Sequence, residues 1–367
     1  MNSLTWIHRL CNGFRKSQIK TLNAILTAFI QCKSAILNEI AREMTYRTGV
    51  AVDHTLKRIN RFLGNERIDR KVVYANITRF VLRKIRHWKT IPIAFDWSFC
   101  EKREKWQVLA ASVVVRGRGI PILIWAFEKG EFGAFLSQNR VEETFLTELE
   151  TLVAPFLRKK QTVVILADRG FARTGLFRHI QDLGWHYVIR VKYNVHINTG
   201  HEQLLIGDIA LKKGEVKEFR SIKYRKNSAI TVRRLVATRP VIEKNLDPWF
   251  LASSLQRGAK AIIKLYTLRF TIEEDFRTMK SNLSWKDCRI KKLEHYRQFL
   301  LLIVLALFFA FFVGMAACNK PSLVKHLVRR RKGAFDTSIT VLGLRLIRFN
   351  WGSLAFIQRI DKLAYPL

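Results

Sequence analysis

The chain has 367 residues, with 65 Lys and Arg against 29 Asp and Glu, a formal charge of +36. Hydrophobic residues make up 49%, enough to bury a sizeable core, which excludes an intrinsically disordered protein. The five cysteines are scattered without a C-x-x-C pair, which excludes a disulfide scaffold or a cysteine zinc site and fits a reducing cytosol. A charge this large calls for a polyanionic partner, and nucleic acid or an anionic membrane surface are the natural ones. Residues 1–15 lack the apolar core and small-residue cleavage site of a secretory signal.

Residues 1–89 read as a basic, all-helical region. Ile19, Leu22, Ile25, Leu26, Phe29 and Ile30 recur at helical spacing. Ile36 to Met44, a turn at Thr48-Gly49 and Val52 to Leu63 make a helix pair, either a plain αα-hairpin or a helix-turn-helix with Lys57, Arg58 and Arg61 on its second helix. Near Thr90 the texture changes. Ile91 to Trp97, Gln107 to Arg116 and Gly119 to Phe127 read as strands, the last two joined in a hairpin at Gly117 to Gly119. Val141 to Leu157 reads as an amphipathic helix, Thr162 to Ala167 as a buried strand, Thr174 to Leu183 as helix and His186 to Val191 as strand. Initial hairpins followed by alternating helices and strands predict a mixed α/β sheet.

Residues 194–256 alternate charged and β-branched residues, with turn signals at Lys213-Gly214 and Lys226-Asn227, and read as a β-rich insertion. Ala259 to Met279 follows without Gly or Pro and is expected as one long helix. Phe299 to Cys318 carries no charge; it is long enough to span a bilayer, or else is a helix buried on all sides. Arg329 to Lys332 is a basic run expected on a helix or its end.

Two acids interrupt clean strand patterns. Asp96 lies near the end of one apolar run and Asp168 directly follows another. An acid there is costly to desolvate unless it is paired, binds a cation or caps a turn. On the predicted helix, Tyr266, Arg269, Glu273, Arg277 and Lys280 fall within a sector of about 80°. One face would thus carry a carboxylate, Glu273, among cations and a phenol, read either as a salt-bridge ladder or as a site. Three carboxylates can hold two divalent metals for phosphoryl transfer, and the adjacent Arg269 and Lys280 would then bind DNA phosphates.

At these residues the chain resembles a known family. The spacing Tyr266-x-x-Arg269-x-x-x-Glu273-x(6)-Lys280 resembles the tyrosine-arginine-glutamate-lysine signature of DDE transposases of the group-four insertion-sequence family. Ala167-Asp168-Arg169-Gly170-Phe171 looks like that family's second aspartate motif, and Phe95-Asp96-Trp97 like the first. The resemblance covers roughly residues 90 to 320. It implies a ribonuclease-H-like mixed sheet flanked by helices, split over 90–193 and 257–320. Around it stand a helical DNA-binding domain (1–89), a β-rich insertion (194–256) and a basic helical C-terminal region (321–367).

It further implies Asp96, Asp168 and Glu273 as catalytic ligands of two Mg2+ ions, with Mn2+ able to substitute. Tyr266, Arg269 and Lys280 would contact phosphates, and Trp249, in Pro248-Trp249-Phe250, looks like the tryptophan that stacks on a flipped base, though the residue could equally be core. Arg277 shares that face but lies outside the signature. The implied activity is cut-and-paste transposition: recognition of inverted repeats, metal-dependent cleavage and strand transfer into target DNA. The implied form is a homodimer on double-stranded DNA, off the membrane, in a bacterial cytosol. The competing expectations are a metal-dependent nuclease of the same fold and a non-catalytic, possibly membrane-anchored, basic DNA-binding protein.

Overall fold

The structure is a computed structural model. It describes residues 3–100, 103–131, 137–225, 230–240 and 247–319, then 324, 328–331, 334–335 and 337–350. Five helices come first: α1 (Ser3–Leu10), α2 (Lys16–Cys32), α3 (Leu37–Thr48), α4 (Val52–Leu63) and α5 (Arg70–Lys84). The predicted turn is real: Gly49 ends α3 at φ 69°, a left-handed conformation that suits glycine, and its N–H reaches the Thr45 carbonyl at 2.8 Å. Lys57, Arg58 and Arg61 on α4 are all exposed.

Behind these helices lies one ten-stranded sheet, ordered β3-β2-β1-β4-β5-β10-β9-β8-β6-β7. Strands β1 (Thr90–Cys100), β2 (Arg103–Val115) and β3 (Arg118–Glu128) form an antiparallel meander. The β2–β3 turn has positive φ at both Arg116 and Gly117, the two-residue geometry whose twist matches a hairpin. After α6 (Gln138–Val153), strand β4 (Thr162–Ala167) pairs parallel to β1; after α7 (Thr174–Asp182), β5 (His186–Arg190) pairs parallel to β4. This order and these directions are those of a ribonuclease-H-like core. Strand β4 is buried on both faces, which is why TVVILA reads as a continuous apolar run.

The β-rich stretch does not stand apart as its own sheet. Strands β6 (His196–Asn198), β7 (Gln203–Leu205), β8 (Val216–Tyr224) and β9 (Ile230–Thr238) continue the core sheet through β10 (Trp249–Ser253), which pairs antiparallel with both β5 and β9. The turn signal at Lys226-Asn227 lies outside the described residues.

Two expectations are corrected. The helix expected over 259–279 is two helices, α8 (Ala259–Thr267) and α9 (Phe270–Asn282). Between them the backbone N–H groups of Leu268, Arg269, Thr271 and Ile272 reach back three residues instead of four, and the Thr271 hydroxyl donates to the Leu268 carbonyl at 2.8 Å. The tightened turn redirects the chain without Gly or Pro. The basic run expected on a helix instead supplies β11 (Arg330–Arg331), paired with β12 (Ala334–Phe335), because the chain doubles back there. Lys332 and most of the region 321–367 lie outside the described residues.

The apolar segment lies in α10 (Leu293–Cys318), the one helix among the described residues long and apolar enough to cross a membrane; its most apolar stretch is wholly buried in the fold. It crosses α11 (Ile339–Asn350) very closely. A Cβ on Gly314 would land on the Ile339 carbonyl, and one on Gly343 on the Ala310 carbonyl, so both crossing points require glycine. Most of the buried apolar residues form one core with α10 inside it. A second, smaller cluster lies on the face of the sheet covered by α8, where Val164, Leu166, Val188 and Leu251 meet Trp249, Ile262 and Tyr266.

Candidate active site

The parallel ladder between β1 and β4 ends with Ala94 opposite Leu166. Extending that register by two residues sets Asp96 beside Asp168, and side-chain alternation sends both to the same face of the sheet. The ladder between β4 and β5 ends with Ala167 opposite Ile189, so one further step puts Arg190 at the level of Asp168. The carboxyl ends of three adjacent parallel strands thus carry an acid, an acid and a cation, in the crevice where α/β sheets place their ligands. Arg190 was missed by sequence reasoning. A lone arginine closing HYVIR gains meaning only from the register.

Each aspartate is also held locally. Asp96 Oδ1 accepts the Trp97 backbone N–H at 2.8 Å, and Asp168 Oδ1 accepts that of Gly170 at 2.7 Å. The turn-capping role of such acids is therefore realised at Asp168. It leaves the second carboxylate oxygen for another partner.

Helix α9 delivers the third acid. Arg269 sits at the tightened turn that starts α9, and Glu273 is in its first turn. The Arg269 guanidinium lies between the acids, donating to Asp96 Oδ2 at 3.3 Å and to Glu273 Oε1. Arg269 is only 5% exposed, and its guanidinium lies over the Phe270 ring at 4.7 Å. Burial works against its charge, but Tyr266, Glu273 and Asp96 outweigh that and hold it cationic.

Asp96 is strained electrostatically. Burial first and the Asp168 charge second push its carboxyl up to about 7, against the opposing pull of Arg269. Among the described residues no three acidic, His or Cys side chains converge closely enough as placed to hold a metal ion, since the guanidinium fills the gap between Asp96 and Glu273. A group of hard carboxylates already gathered around one positive charge nevertheless has the chemistry of a magnesium or manganese site.

The other sequence-predicted residues divide. Asp96, Glu273, Arg277 and Lys280 line one open cleft of about 480 Å³ together with Trp97, Ser98, Ser281 and Lys286. Lys280 lies over the Phe99 ring at 4.6 Å, and Arg277 is exposed and bonded to Glu274 at 2.6 Å. Lys286 was not anticipated, because it enters the cleft from a separate turn after α9. Tyr266 and Trp249 are buried instead, meeting edge-on with ring centres 5.1 Å apart. Burial raises the Tyr266 phenol above its ordinary value. Both belong to the smaller core cluster, with Trp249 tilted against Phe270 at 5.7 Å. A base reaching Trp249 would have to displace this packing.

A search of curated proteins finds no match. Among solved structures the chain is similar to a piggyBac transposase in a synaptic complex with hairpin DNA, at 13% identity and a TM-score of 0.46, covering 99% of this chain and 78% of that one. Residues 138–309, a stretch that holds Asp168, Trp249, Tyr266, Arg269, Glu273 and Lys280 but not Asp96, match the family model described as the transposase DDE domain.

Proposed function

We propose that the protein is a cut-and-paste DNA transposase that binds the inverted repeats of an insertion sequence, cleaves at their ends and transfers the freed strands to target DNA. The observation that carries this reading is the alignment of Asp96 with Asp168 across β1 and β4, closed by Glu273 through Arg269. The transposase-domain match supports it, and so does the +36 charge, which suits a polyphosphate partner.

In this reading Asp96, Asp168 and Glu273 would hold two Mg2+ or Mn2+ ions. Such ions, when bound, supply the Lewis acidity that activates a water or a 3′-hydroxyl and stabilises the leaving oxygen. The chain's own residues do the rest. Arg269 is the counter-charge of Asp96 and Glu273 and would be available to a DNA phosphate were those acids to hold metal ions instead. Lys280, Arg277 and Lys286, along the cleft, neutralise the phosphates on either side, and Arg190 holds charge at the far strand end. Trp249 and Tyr266 contribute to the DNA only if the α8 packing opens. Residues 1–89 are assigned to end recognition, and a homodimer bridges the two ends.

Purified protein incubated with its element's own flanks, with and without magnesium, tests this beside Asp168→Ala. Metal-dependent cuts at the repeat boundary, absent in the variant, are expected. Cuts scattered along any DNA, with no strand joined to a target, would replace the transposase by a nuclease of the same fold.

A further inference from the structure

Outside the acids described above, a buried carboxylate with a full set of donors stands apart from that function. Glu142 on α6 is 3% exposed. Its Oε1 accepts the Trp97 indole N–H at 2.9 Å and the Gln138 amide at 3.2 Å. Its Oε2 accepts Arg173 at 2.9 and 3.3 Å. Arg173 also donates to Glu143 and to the Asn139 carbonyl at 2.8 Å. A buried carboxylate is costly unless it is fully hydrogen-bonded, and an apolar side chain would fill the volume as well. What the charge adds is direction.

The direction is informative. Trp97 is the residue after Asp96 and donates its own backbone N–H to that aspartate. Arg173 directly follows the short turn that begins at Asp168 and caps α7, and Phe171 in that turn packs on Phe95 at 4.6 Å. The β1–β4 ladder stops at Ala94 and Leu166, short of both aspartates. Backbone pairing thus brings the two strand ends together but stops two residues short, and the side chains beyond the ladder bridge what remains. We propose that Glu142 is a positioning residue that fixes Asp96 and Asp168 relative to each other, by tying Trp97 and Arg173 to one carboxylate on α6. This rests on the reading of those aspartates as metal ligands.

The test compares the full chain with Glu142→Ala, Glu142→Gln, Trp97→Phe and Asp168→Ala. Mn2+ affinity is read by calorimetry and the Mg2+ dependence by DNA cleavage. Folded Glu142→Ala should bind Mn2+ roughly ten-fold more weakly and need correspondingly more Mg2+ for half-maximal cutting, with DNA affinity unchanged. Glu142→Gln, which keeps an acceptor for the indole, and Trp97→Phe, which keeps the ion pair, should shift both in the same direction by less. Parental Mn2+ affinity in the folded Glu142 variants and in Trp97→Phe, in a protein that loses metal on Asp168→Ala, would overturn the positioning role alone. A parent chain that binds no Mn2+, with Asp168→Ala indistinguishable from it, would overturn the metal reading and this role together.

Discussion

Two arginine–carboxylate clusters flank the ends of β1 and β4, and they are built to opposite rules. Around Glu142 each oxygen has two donors, and the partner Arg173 is itself shared among two glutamates and a carbonyl. Around Asp96 one guanidinium serves two acids, a third acid stands nearby, and the carboxyl titrates near neutrality. In the first cluster every carboxylate oxygen of Glu142 has two donors; in the second Asp96 has one donor on each oxygen and its carboxyl is raised by burial and a neighbouring acid. The same residue types give scaffold or site according to how many donors the fold supplies.

The sharpest way to break that contrast is chemical. Asp168→Ala or Glu273→Ala should lower magnesium-dependent cleavage by more than about 1000-fold while end binding survives, because removing a ligand disables charge stabilisation in the transition state. A gel-shift assay run beside the cleavage assay reads both. Equal loss of binding and cutting in a folded variant would remove the acid from the catalytic set.

Stability comes next. Arg173→Ala strands Glu142 in the interior and should cost about 3 kcal/mol in urea unfolding. Arg269→Ala should cost about 1 kcal/mol or less, because Glu273 is 46% exposed and Asp96 can take up a proton. Similar losses at the two arginines would erase the distinction between scaffold and site.

The pH dependence sharpens it further. The Asp96 carboxyl is raised in the fold from 3.8 to about 7, so the folded state favours its neutral form. Its contribution to stability is full below about pH 4 and is lost as pH rises through about 7. Asp96→Asn should therefore stabilise the metal-free protein by roughly 1–3 kcal/mol at pH 8 and by almost nothing at pH 4. Thermal melts in chelator at the two pH values decide it, and a variant less stable than its parent at pH 8 would contradict the raised value. The smallest effect belongs to Lys280→Ala, which should weaken end binding several-fold and reduce the salt slope by about one unit. An unchanged slope in a binding titration would take Lys280 off the phosphates.

Much of this was legible in the chain itself. Asp96 and Asp168 stand out because each interrupts a run whose other members must be buried, and the β2–β3 hairpin announces itself by Gly117 to Gly119 between two runs rich in Val and Ile. What the sequence hid depends on partners distant in the chain. Arg190 is an ordinary arginine until the β4–β5 register places it beside Asp168. The break before Arg269 is silent because a threonine hydroxyl and three-residue hydrogen bonds make it, with no glycine or proline as a mark. Tyr266 and Glu273 would share one face only on an unbroken helix. The turn leaves Glu273 lining the cleft and Tyr266 buried under α8, its ring still 6.0 Å from the Arg269 guanidinium. Trp249 was readable either as a base-stacking ring or as core, and its place in the smaller cluster reflects strand β10, whose pairing with β5 spans the whole β-rich excursion.

That excursion has a consequence for how the chain comes off the ribosome. Both aspartates emerge early, yet β5 keeps an open edge until β6 through β9 have been made and β10 has docked. Glu273 follows only after that. Long-range strand pairing of this kind is slow, so a nascent or truncated product holds two acids of the three and an unfinished sheet. Such a fragment lacks the third acid, and the cluster of Asp96, Asp168 and Glu273 is assembled only in the nearly complete chain.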